Sequence, residues 1–213
     1  MKKKFMAGVL LLSTTMIANG VLSVHEASAK ENVTNGQVTF EGGAIDIDPD
    51  EPNPDDPNNP THLLPQELNF GETIINFEQD ANLKATKDGK QESEATTGKL
   101  RINDKSGTGN GWVVKVNQTQ FKQGDNELTG AELSITTGEA TNTGGTIPTG
   151  GKLNQKATLT PGEEMEVFKA NKGEGSGVSE LPLNQFDLNI PAAANKTVGQ
   201  YVTTITWTVS ETA

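Results

Sequence analysis

YVTTITWTVSETA, residues 201–213, and GTGNGWVVKV, residues 107–116, decide the fold. Together they hold both Trp and the single Tyr of the chain, and each Trp has Val two places later. In an extended strand, alternate residues share a face. Tyr201, Thr203, Ile205, Trp207 and Val209 therefore point one way, and Val202, Thr204, Thr206, Thr208 and Ser210 the other. In the earlier stretch Trp112, Val114 and Val116 share a face opposite Val113, Lys115 and Asn117. Each Trp-x-Val is thus a same-side pair in a β-favouring context. An aromatic side chain buries about 150–250 Å², and the apolar company on each Trp face predicts a core. The competing reading is an aromatic platform that stacks on sugar rings.

Outward from these two stretches the pattern repeats. KLRIND, residues 99–104, sets Leu100 and Ile102 against Lys99, Arg101 and Asn103. AELSITT puts Leu133 and Ile135 on one face, and ATLTPG, EMEVFK and FDLNIP follow. ELNFGETIINF, residues 67–77, also alternates and reads as strand. EATNTGGTIPTGG (139–151) and NKGEGSGVS (171–179) read as long loops. Short alternating runs separated by turn residues predict an all-β fold. The expectation is a sandwich-like packing of mainly antiparallel strands, with long Gly/Thr/Asn-rich loops and little helix.

The N-terminus reads as an address. MKKK is followed by an apolar stretch, and Ala27-Ser28-Ala29 fits a small-x-small cleavage site, so residues 1–29 are expected to be a signal peptide. That segment carries three Lys and one Glu, so its removal takes the net charge from −11 to −13. Residues 30–60 form an N-terminal segment ending in DPDEPNPDDPNNP, an acidic Pro/Asp-rich linker. Residues 61–213 are expected to be the β domain. No later stretch approaches the roughly 20 apolar residues of a membrane span, so no membrane insertion is expected. The acidic balance makes nucleic acid a poor partner.

Little catalytic chemistry is available. With no Cys there is no thiol nucleophile, no disulfide framework and no Cys-based zinc site. After the signal peptide the one His is His62, and its neighbours give it no triad setting. Asp46, Asp48 and Asp50 alternate as in a calcium loop, but Glu51 stands where the loop needs Gly, and Pro57 where it needs a bidentate Glu. GTGNG lacks the spacing of a dinucleotide cradle. Acidic pairs such as Glu163 and Glu164 fit a glycosidase only generically. No enzyme activity, cofactor or metal is expected.

GTGNGWVVKVNQTQF, ELTGAELSI and the terminal GQYVTTITWTVSETA, with LNFG before the first motif and TLTPGEE before the second, resemble the WxL domain of Gram-positive cell-surface proteins. The resemblance spans about residues 65–213, with Val114 and Val209 standing where the family motif has Leu. It implies a secreted, non-enzymatic protein at the bacterial surface, attached noncovalently to the wall through peptidoglycan or another wall glycan. It also implies association with other surface proteins, including ones with immunoglobulin-like domains, which could instead hold the chain to the wall indirectly. No LPxTG-type sorting signal stands in the sequence. The motif falls on Trp112, Val114, Tyr201, Trp207 and Val209, as core and as candidate wall-binding residues.

Overall fold

The computed structural model describes residues 37–48, 50–51 and 61–212. The expected signal peptide and most of the acidic linker lie outside the described residues. The strands are β1 (Ile45–Ile47), β2 (Asp50–Glu51), β3 (Thr61–His62), β4 (Ala81–Lys84), β5 (Gly98–Asp104), β6 (Trp112–Gln118), β7 (Lys122–Gln123) and β8 (Asn126–Glu127). There follow β9 (Glu132–Thr137), β10 (Thr141–Thr143), β11 (Gly150–Gly151), β12 (Lys156–Thr158), β13 (Met165–Ala170), β14 (Gly177–Ile190) and β15 (Ile205–Glu211). No helix occurs among the described residues, so the all-β expectation holds.

One antiparallel sheet runs β1-β5-β14-β9-β12, with β4 and β10 also pairing with β14. The other runs β11-β13-β6-β15, and β2–β3 and β7–β8 are two-residue ribbons. Leu100, Ile102, Leu133, Ile135, Leu181 and Phe186 from the first sheet share one core with Trp112, Val114, Val116 and Phe168 from the second. The period-2 alternation read from the sequence is the cause: each strand buries one face.

β14 is the spine, fourteen residues long, and only its FDLNI end is legible as strand in the sequence. Pro182 hides the rest, because a proline has no amide to give a central ladder. Here the missing donor costs nothing. Gly138 donates to the Pro182 carbonyl, so the Pro182 nitrogen faces the same side. On that side β10 pairs with Val178–Glu180 and β9 begins at Leu183, leaving Pro182 in the interval between them. A bulge between Leu183 and Gln185 then adds one residue. It switches the buried set from Ser179, Leu181 and Leu183 to Phe186, Leu188 and Ile190.

Three local expectations differ from the structure. Residues 67–77 form no strand beyond an isolated bridge from Asn69 to Thr86. Leu68 and Phe70 pack against the core, while Ile74, Ile75 and Phe77 are exposed, so the second half of the run has no partner to bury it. The loop 139–151 contains β10 and β11, and 171–179 contains the start of β14. β11 is Gly-Gly and pairs by backbone alone, and β10 is three polar residues whose Asn142 bonds Ser176 and Ser179, so neither shows an apolar alternation.

The acidic residues weighed for calcium stand apart. Asp46 lies opposite Asn103 in the β1–β5 register, Asp48 meets Arg101 at 3.5 Å, and Asp50 meets His62 at 2.6 Å. Glu164 pairs with Lys115 at 3.0 Å on the surface.

Candidate functional site

The two Trp-x-Val stretches become neighbouring strands. β6 and β15 pair antiparallel, with Val114 opposite Val209, Val116 opposite Trp207 and Trp112 opposite Glu211. The tryptophans therefore sit at opposite ends of a shared Val pair. Four residues of strand, about 14 Å, separate them along β6.

Their environments differ. Trp112 is fully buried. Its ring packs edge-on against Phe168, with centroids 4.9 Å apart at 77°, and its Nε1–H donates to the Gly175 carbonyl at 3.2 Å. Two glycines make that seat. A Cβ on Gly175 would lie 2.6 Å from the indole nitrogen, and one on Gly111 would lie 2.3 Å from the Ala170 carbonyl. Both have positive φ, 77° and 88°, which only Gly adopts freely. Ala170, opposite Trp112 in the β13–β6 register, is small enough to leave room for the indole.

Trp207 is only partly buried, on the edge strand of its sheet. Tyr201, Thr203, Ile205 and Val209 share its inward face, and Val202, Thr204, Thr206 and Thr208 are exposed, as the alternation predicts. Tyr201 lies before β15 and is also partly buried. Its hydroxyl accepts from the Thr197 amide at 3.0 Å.

Trp207 and Tyr201 line a groove of about 1820 Å³. It is lined by residues of the 64–79 and 88–92 segments, of β4 and β14, and of the 196–207 segment. Phe70 and Phe121 also line it, packed edge-on with centroids 6.4 Å apart. Its charged lining residues are Glu67, Glu72, Asp88, Glu92, Lys90 and Lys196, an acidic balance. The Lys196 ammonium is spent on carbonyls, donating to Asn76 at 3.0 Å and to Pro191 and Ala192 at 2.7 Å. It also sits 5.2 Å from the Phe77 ring centroid. Lys90 lies 3.5 Å from Asp88. The groove thus offers aromatic faces, amides and carboxylates, with no basic cluster.

Of the sequence-predicted site residues, Trp112 and Val114 are wholly core. Val209 packs against that core, and Trp207 and Tyr201 do so while also facing the groove. Phe70 and Phe121 stand in the LNFG and GTGNGWVVKVNQTQF stretches but outside the Trp-x-Val motif itself, and only the fold brings them into the groove beside Trp207.

A family model described as WxL domain surface cell wall-binding matches residues 27–212. The chain belongs to the WxL family. Its match covers both Trp-x-Val strands and every described element of this WxL chain. The family is one of surface, cell wall-binding domains, and that description places the chain's work at the cell wall. No curated protein and no solved structure matches the chain. Among the described residues, no helix is long and apolar enough to cross a membrane.

Proposed function

We propose that this WxL chain is exported and attaches noncovalently to peptidoglycan of the Gram-positive wall, with the groove beside Trp207 as the seat. One observation carries the reading. A partly buried Trp and Tyr line a groove of about 1820 Å³, well beyond the roughly 300–1,000 Å³ of small-molecule sites. Such a volume suits a polymer, and aromatic faces suit sugar rings. The acidic lining disfavours anionic wall polymers and favours a neutral glycan. Trp112, Val114 and Val209 support the site from the core. Trp207 and Tyr201 supply the contact surface.

A test follows from that division. Trp207→Ala should fold and lose most pelleting with purified peptidoglycan, while an outward-face variant such as Thr206→Ala keeps it. Unchanged pelleting of a folded Trp207→Ala protein would move the seat away from the groove.

A second reading has its own support. Ile74, Phe77 and Val198 are 90%, 65% and 88% exposed, and Ile74 and Val198 line the groove. Exposed apolar residues rimmed by polar ones are typical of protein interfaces. In that reading the chain is a structural or adhesin subunit, held to the wall by other surface proteins with immunoglobulin-like domains. Failure to bind peptidoglycan alone, with capture by such a partner, would favour it.

A further inference from the structure

β15 ends its sheet, and its outer edge is unpaired among the described residues. In an antiparallel ladder each residue sends its N–H and C=O to the same side, alternating along the strand. Thr119 donates to the Thr204 carbonyl and Thr212 donates to the Gly111 carbonyl. The even-numbered residues of this strand therefore bond toward β6. Ile205, Trp207, Val209 and Glu211 must turn their N–H and C=O outward. No other hydrogen bond among the described residues uses those groups. β1 approaches β15 from the other sheet, but its ladder is with β5.

Edge strands usually carry a guard against pairing: a Pro, an inward Lys, a bulge, or a very short length. β15 has none of these. It is seven residues, ITWTVSE, with one charge at its end, and its register with β6 has no shift. Its inward residues already pair with the same motif, since β6 sets Val against Trp207 and Val against Val209.

We propose that β15 is a self-association edge, which pairs antiparallel with β15 of a second copy about a two-fold axis at Thr208. That register sets Trp207 opposite Val209 of the second copy and repeats the aromatic–β-branched pairing found with β6. It also fits the outward polarity, because Trp207 and Val209 become a hydrogen-bonded pair. Each Glu211 faces an Ile205. The two Glu211 stand about 20 Å apart along the strand, beyond the ~8 Å screening length at physiological salt. A seven-residue strand pair alone covers less than the roughly 1,200 Å² of a stable interface. The dimer is accordingly weak in dilute solution and favoured where copies crowd on a surface. The inference rests on β15 alone and is independent of what the groove binds.

The test uses the absence of Cys from the chain. Thr208 would be a non-hydrogen-bonded pair with itself, with Cα atoms about 4.5 Å apart, within disulfide reach. Thr206 pairs instead with Ser210 of the second copy, leaving the two Thr206 about 14 Å apart. Both residues are exposed, so Thr208→Cys and Thr206→Cys in the full chain are matched variants. Under mild oxidation at high protein concentration, Thr208→Cys should form disulfide dimer at least tenfold faster than Thr206→Cys. Equal rates, or no dimer from either, would overturn the proposal.

Discussion

Val209 lies directly opposite Val114. That one pairing joins two stretches far apart in sequence and puts both Trp-x-Val motifs in adjacent strands. It explains why the motif recurs. The apolar row Phe168–Val114–Val209 crosses three strands, with Trp112 at one end of the β6–β15 pair and Trp207 two pairs in from the other. Val114 and Val209, in place of the motif's Leu, keep an apolar side chain and add the β-branching that a strand favours.

The two tryptophans should therefore not be equivalent. Trp112→Ala removes a fully buried indole and is expected to cost about 3–5 kcal/mol, typical of large-to-small core changes. Trp207→Ala should cost less than about half of that, since part of the ring is already in solvent. Urea unfolding of both variants checks the order, and equal losses would refute it.

Gly175 supports Trp112 from the loop before β14. Gly175→Ala forces a Cβ to within 2.6 Å of the indole nitrogen at a positive φ. Overpacking and backbone strain together should destabilise by about 2–4 kcal/mol. Thermal unfolding should show a lowered midpoint, and tryptophan fluorescence should shift as the Trp112 seat loosens.

Stability should fall in acid through named carboxylates. Burial raises the Glu174 pKa, but it accepts from the Asn171 amide at 3.0 Å, the Thr149 hydroxyl at 2.8 Å and the Thr149 amide at 3.0 Å. Those bonds outweigh burial and hold its pKa below the usual 4.5. Glu211 is held below 4.5 by the Thr108 hydroxyl and then by Asn110. A carboxylate with a depressed folded pKa contributes stability that is fully present above the unfolded value. That contribution is lost as pH falls through the folded one. Glu174→Gln should flatten the stability profile below about pH 4.5, measured by denaturant titration across pH 2–6. A profile as steep as wild type would assign the acid loss to other groups.

Much of this was legible before the fold was known. The alternation of β5, β6, β9 and β15 is plain because each buries one face and wets the other. β14 was only partly legible, because Pro182 and a bulge break its pattern while the gap between β10 and β9 removes the cost. The segment 67–77 misleads for the opposite reason: it alternates, but no neighbouring strand pairs with it beyond the Asn69–Thr86 bridge. Of the site, Trp207 and Tyr201 were visible as a motif. The difference between a core Trp112 and a groove-facing Trp207 was not, because it depends on β15 being an edge. Phe70 and Phe121 reach the groove only through long-range packing.

Salt dependence separates modes of wall attachment. A chain of net charge −11 is repelled by anionic wall polymers, and salt screens that repulsion. Binding to whole walls should be unchanged or stronger between 50 and 500 mM salt, roughly the range over which the screening length falls to a few Å. A steep loss would point to a basic contact that the groove lacks.

The most direct measurement is pelleting of the purified protein with peptidoglycan stripped of teichoic acid. The wild-type chain should co-sediment saturably without any partner protein. A folded protein that stays wholly in the supernatant would contradict this and leave partner-mediated attachment as the function of the domain.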